Sequence, residues 1–335
     1  MLKRQLCNLV RQLAAVLSVM VCGSLAFGQA AVTSASVPLP AATVAGPLED
    51  WNSPVMAQSQ LVAAPPLIGE KADLDDLTRE LLQVQWRASD PIELYVIRPK
   101  GVQKPPVILY LYGHPAETTR FQDDEFCRLL VKNGYAAIGF VPNLSGQRYH
   151  NRPLKEWYIS ELQETLATSA HDVQMILNYL ESRGDFDMSR VGMFGQGSGA
   201  SIAILAAAVD PRIKALDLMD PWGDWPEWMA VSTIIPEEER PAFVKPEFLA
   251  KVAALDPVQW LPNLKTPSVR LQILNFETIT PMTAKDAIAK AAPSSATVTR
   301  YDNANQVHDA LMMGKEFDWI KAQMRSAVSP VAAKQ

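Results

Sequence analysis

From about Leu74 to Met324 the chain alternates short apolar runs with longer stretches whose apolar residues recur at helical spacing. The runs predict strands over Leu82–Arg87, Ile92–Arg98, Val107–Tyr112, Ala136–Val141, Arg190–Phe194, Ile213–Met219, Val269–Phe276 and Thr297–Tyr301. Helices are expected over Asp123–Asn133, Ile159–Arg183, Gly199–Ala208, Ala284–Ala291 and Asp309–Met324. Asn133-Gly134 ends the first of these with residues that tolerate a left-handed cap. The first two strands read as an antiparallel hairpin. Most of the later ones are short, apolar and separated by helices, as strands buried on both faces of a parallel sheet are. The expectation is therefore α/β: a mostly parallel eight-stranded sheet flanked by helices, over residues 74–325.

Outside that region the pattern fails. Lys3, Arg4 and Arg11 precede an apolar run from Leu13 to Phe27 and small residues at Ala26, Gly28 and Ala30, the order of a cleaved export signal. About fifteen apolar residues are short for a membrane span of roughly 20, so residues 1–30 read as a signal peptide rather than an anchor. The protein is expected to be secreted or periplasmic, with no stable membrane span after cleavage. Residues 31–73 are rich in Ala, Val, Pro and Ser and read as a flexible leader, with Trp51 as a docking point; residues 326–335 read as a tail.

Composition narrows the partners. A chain of 335 residues, 48% hydrophobic, has material for a large core, and its net charge of −5 with no basic stripe excludes a nucleic-acid partner. Once the signal is removed only Cys127 remains of three cysteines, so no internal disulfide is expected; it reads as a buried apolar side chain. The four histidines have no paired ligand spacing, so neither a metal nor another cofactor is expected.

Residues 191–200 carry the candidate chemistry: Val-Gly-Met-Phe-Gly-Gln-Gly-Ser-Gly-Ala. In a G-x-S-x-G nucleophile elbow, glycines stand two residues either side of the serine because side chains there would collide. Gly195 and Gly199 are those flanks, so the nucleophile's position is Gly197. Ser198 is one residue out of register.

The succession of elements from about residue 76 to residue 325 resembles the α/β-hydrolase family. Val107-Ile108-Leu109-Tyr110-Leu111-Tyr112-Gly113 resembles its third strand, Asn133-Gly134-Tyr135-Ala136-Ala137 the entry to the fourth, and Ser189-Arg190-Val191-Gly192 the entry to the elbow. The flavour is similar to the dienelactone-hydrolase, acetyl-esterase and prolyl-oligopeptidase-like branches. That resemblance implies a catalytic histidine beyond the last strand, where His308 stands, and an acid after the seventh strand, where Glu277 precedes Thr280-Pro281; Asp220, ending the sixth strand, is the second candidate. It also implies an oxyanion hole formed by the backbone amides of Ser198 and His114.

Between strands six and seven, residues 221–265 form a small Trp-rich insert, in which Trp222, Trp225 and Trp228 either line a substrate pocket or pack the insert onto the body. His171-Asp172 and Arg190 read as local hydrogen-bonding or capping groups, and His150 as a loop residue near the site. Two functions follow. Either the chain is a hydrolase scaffold that has lost its nucleophile and binds a small ester, peptide or glycan, or Ser198 acts as nucleophile with His308 and Glu277 in an esterase or peptidase.

Overall fold

The computed structural model describes residues 49–56, 66–87, 90–146, 148, 158–311 and 315–325. All belong to one compact unit, Val44–Gln335. The expected signal peptide, His150 and the expected tail lie outside the described residues.

Nine strands form one sheet: β1 (Leu67–Asp73), β2 (Leu77–Val84), β3 (Ile92–Pro99), β4 (Pro106–Leu111), β5 (Ala136–Phe140), β6 (Asp187–Gln196), β7 (Ile213–Met219), β8 (Ser268–Leu274) and β9 (Thr297–Tyr301). Their spatial order is β1-β2-β3-β5-β4-β6-β7-β8-β9. Pairings from β1 through β3 to β5 are antiparallel, and the rest are parallel. The sequence led us to expect eight strands. The ninth, β1, comes from the stretch read as a leader; its side chains are nearly all exposed, so ladder pairing with β2 holds it and no hydrophobic pattern announces it.

Helices connect the parallel strands: α1 (Asp124–Val131), α2 (Leu162–Arg183) and α3 (Ser198–Val209), then four short helices between β7 and β8, α4 (Trp225–Val231), α5 (Arg240–Phe243), α6 (Pro246–Ala253) and α7 (Pro257–Trp260). After β8 come α8 (Met282–Ala291), α9 (Ala304–Leu311) and α10 (Asp318–Gln323). The two faces of the sheet are buried separately. Along β4, Val107, Leu109 and Leu111 belong to the core shared with α2 and α3, while Ile108 and Tyr110 belong to the core shared with α1 and α10. That alternation is the period of two expected of a strand covered on both sides.

Part of the expected leader is fixed to the body. Residues 49–56 form a strap against α2: Glu49 pairs with Arg87 and His171, Ser53 carbonyl meets His171 Nε2 at 2.9 Å, and Gln174 bonds the Pro54 carbonyl and the Met56 amide. Arg87 also pairs with Asp172, which Arg148 and the Trp86 indole join at 2.7 and 3.1 Å. His171 and Asp172 are thus structural, but their partners are remote in sequence and not the local ones expected. Trp51 is not the anchor: it is 40% exposed.

Candidate active site

At the C-terminal end of β6 the chain makes the sharp turn into α3 that the glycine spacing implied. A Cβ on Gly195 would lie 2.6 Å from the Ala200 Cα, and one on Gly199 would lie 2.2 Å from the Leu111 carbonyl oxygen. Neither distance is tolerable, so both flanks are glycine for steric reasons. Gly197 sits between them at φ 56° and ψ −125°, a conformation that side-chain-bearing residues adopt at a cost of about 1–3 kcal/mol. Its amide donates to the Met219 carbonyl at 2.9 Å, and its carbonyl accepts from the Ala200 amide at 3.0 Å. The elbow's backbone is complete; its side chain is a hydrogen atom.

The space a nucleophile would enter holds an indole. A Cβ on Gly197 would come 3.3 Å from Trp222 Nε1 and 3.7 Å from its Cε2. Ser201, one turn into α3, fixes Trp222 there: its hydroxyl accepts from the Trp222 amide at 3.0 Å and donates to the Trp222 carbonyl at 2.6 Å. Asp220 and Asp224, both at positive φ, bracket the segment that carries it. Asp256 accepts from the Asp224 and Trp225 amides, each at 3.0 Å, and so holds the start of α4.

Ser198 is fully buried, and its hydroxyl oxygen accepts the His114 amide at 2.9 Å. The hydroxyl thus uses one of the two amides expected to hold an oxyanion. The His114 ring stacks on Tyr158 at 4.4 Å, Tyr158 meets Trp222 edge-on at 6.1 Å, and Trp222 in turn packs on Trp228 at 4.9 Å. Trp225 contacts Trp228 edge-on at 5.9 Å. All three tryptophans are buried, and Trp222, the one beside Gly197, packs on Trp228, which is the packing role of the two expected for them. Burial lowers the His114 pKa to about 4, so its imidazole is neutral near pH 7.

Among the described residues, no hydrogen bond or ion pair joins the side chains of the remaining candidates to the elbow. Glu277 Oε1 accepts from the amides of Thr278 at 2.7 Å and Ile279 at 3.1 Å, closing its own turn. Asp220, the alternative acid, accepts the Leu274 amide at 3.1 Å and lies 3.5 Å from the buried Lys285 ammonium. Burial raises its pKa to about 6, against the Lys285 charge and the Leu274 hydrogen bond. Lys285 also donates to the Glu277 carbonyl at 2.6 Å, so a lysine joins the two places where an acid was expected.

His308 is exposed in the second turn of α9, and among the described residues no hydrogen bond or ion pair joins it to Glu277, Asp220 or Ser198. The sequence expectation had a loop running to His308 and a helix from Asp309. The structure starts the helix at Ala304, because Asn303 Oδ1 accepts the Gln306 amide at 3.0 Å and Gln306 Oε1 accepts the Asp302 amide at 2.6 Å. This is a capping box in all but its exact return partner, and Asn303-x-x-Gln306 was its legible signal. Tyr158, Ser201 and Lys285 also went unread. Only Lys285 left a trace, as a lone charge on the apolar face formed by Ala284 and Ile288.

Among the described residues no group of three or more His, Cys, Asp and Glu is placed to hold a metal ion, and no helix is long and apolar enough to cross a membrane.

Residues 92–240 match the model of the dienelactone hydrolase family. The parallel sheet, the crossover helices and the turn at Gly197 agree with that match. The chain has the α/β-hydrolase fold. Among solved structures, this α/β-hydrolase-fold chain is similar to the acetyl xylan esterase from Paenibacillus sp. R4, with a TM-score of 0.63 at 17% identity over 79% of this chain and 90% of that one. Acetyl xylan esterase 1 from Thermoanaerobacterium sp. JW/SL YS485 gives 0.58 at 14% identity over 76% and 88%. The Pyrococcus horikoshii acylaminoacyl peptidase gives 0.53 at 15% identity, over 80% of this chain but 43% of the peptidase. At these identities the likeness is one of fold. No curated protein matches the sequence closely enough to count as a relative.

Proposed function

We propose that this α/β-hydrolase-fold protein does not perform serine acyl transfer and keeps the scaffold for binding. One observation carries the reading: Gly197 holds the elbow conformation at φ 56° while the Trp222 indole lies 3.3 Å from where its Cβ would be. Without an attacking oxygen at that point no acyl-enzyme forms there. The hydroxyl of Ser198 supports the same reading, because its oxygen accepts the His114 amide and, among the described residues, no hydrogen bond joins it to His308 or Glu277. Export by residues 1–30 is part of the proposal and follows from the order of charged, apolar and small residues alone. N-terminal sequencing of the protein recovered from its native compartment checks it; a chain still starting at Met1 would refute export by cleavage.

The catalytic half is tested by hydrolysis of p-nitrophenyl acetate and of acetylated xylan, an ester of the kind named for two structural neighbours. The wild type is expected to match the protein-free rate on both. Gly197→Ser is expected to remain at that rate too, because His308 lies on the outer surface of α9. Turnover by the wild type would refute the proposal. Turnover gained only by Gly197→Ser would show that the histidine reaches the elbow.

A further inference from the structure

The strap presents one large aromatic side chain, Trp51, that is 40% exposed. Trp51 lies between anchors on both sides: Glu49 at Arg87 and His171, and Ser53 and Pro54 at His171 and Gln174. Asn52, beside it, accepts from the Gln163 side chain at 3.0 Å and donates to Asp50. The backbone carrying Trp51 is therefore fixed, yet the indole remains 40% exposed. It forms one wall of a cavity of about 280 Å³ between the strap, the start of α2 and α6. The other walls include Glu161, Gln163, Phe248 and Lys251. This cavity is separate from the elbow and shares no residue with it.

We infer that this cavity is a binding site for a neutral carbohydrate, with Trp51 as the platform for one sugar ring. The volume sits at the lower edge of the roughly 300–1,000 Å³ typical of small-molecule sites, which suits one ring of a longer chain and not a bulky ligand. An indole offers a flat apolar face with a polar edge, matched to the C–H face of a pyranose. Around it stand two acceptors, Glu161 and Glu164, a donor, Lys251, and a side chain that is both, Gln163. Hydroxyl groups donate and accept, so they satisfy such a mixed rim. An anion would meet both carboxylates; an organic cation would gain them and the Trp51 face but meet the Lys251 ammonium, and the choline arm of the test separates it from a sugar. A fixed platform also spares the ligand the cost of ordering it. The inference stands apart from the proposal about Gly197, since its readout is binding and not hydrolysis.

Isothermal titration of the purified full chain with cellohexaose, xylohexaose, maltohexaose and chitohexaose, and separately with choline, tests it. At least one oligosaccharide is expected to bind with a Kd below about 10 mM, and choline is not. Trp51→Ala is expected to weaken that binding about tenfold or more, Trp51→Phe much less, and Lys251→Ala by several-fold. Lys251 belongs to α6, and among the described residues no hydrogen bond or ion pair joins it to the strap, so its variant tests the cavity independently of the strap's own docking. The inference is overturned if no oligosaccharide binds in that range, if Trp51→Ala and Lys251→Ala bind as the wild type does, or if choline is the ligand that binds.

Discussion

Glycine at position 197 serves the backbone of the turn, and under the proposal it also withholds the chemistry; the first effect has its own measurable consequence. At φ 56° and ψ −125°, a Cβ adds both backbone strain and a 3.3 Å approach to Trp222, so Gly197→Ala is expected to destabilise the fold by about 1–3 kcal/mol in urea unfolding. A neutral substitution would mean the turn is not held as described. Ser198→Ala strands the His114 amide that now donates to the serine hydroxyl, at an expected cost of about 1–3 kcal/mol. Glu316 supplies a pH signal. Burial raises its pKa to about 7, with the Arg120 and Arg270 charges opposing and Asp217 adding to the rise. The native state therefore holds a proton that the unfolded chain releases at lower pH, and stability falls as pH rises through about 7. Thermal unfolding from pH 5 to 8 should show a decline on the order of 1–3 kcal/mol that Glu316→Gln flattens.

Among the elements, legibility followed the local sequence signal, of which burial is only one source: β7 is buried and β9 largely exposed. β7 and β9 were expected with their observed bounds, and β4 and β5 within one residue, because each is a run flanked by turn residues. β1 was invisible: its sequence, LIGEKAD, faces solvent throughout and is a strand only because β2 offers it a ladder. α9 was misplaced because none of its residues is buried, leaving a cap and no hydrophobic stripe as its signal. That displacement matters most, since it moves His308 from a loop to an exposed helical face. The strap was read as a leader because its partners are remote: Glu49 meets His171 across 122 residues. Burial raises the Glu49 pKa, but hydrogen bonds from Arg87 and His171 outweigh it and leave the carboxyl below its ordinary range. Its contribution is thus present above that range and lost as pH falls through the lowered value. Limited proteolysis should cut within residues 49–56 faster at acid pH, and Glu49→Gln should be cut faster at neutral pH as well. Equal rates for the variant and the wild type at neutral pH would show that Glu49 does not hold the strap.

For the whole molecule, the proposal separates fold from activity. Gly195 admits the start of α3 and Gly199 the end of β4, and Ser201 clasps the backbone of Trp222 beside the turn, so these contacts hold the elbow's architecture. Glycine spacing made that elbow readable from sequence. The aromatic packing above it was not readable, because His114, Tyr158, Trp222 and Trp228 come from three separate parts of the chain. An acid-histidine pair was expected from family order, yet the buried partner of Asp220 is Lys285. The most direct measurement is labelling by a fluorophosphonate probe, which reports any activated serine irrespective of substrate. The account predicts no labelling of the wild type above that of heat-denatured protein. Labelling of the wild type that disappears in Ser198→Ala would contradict it.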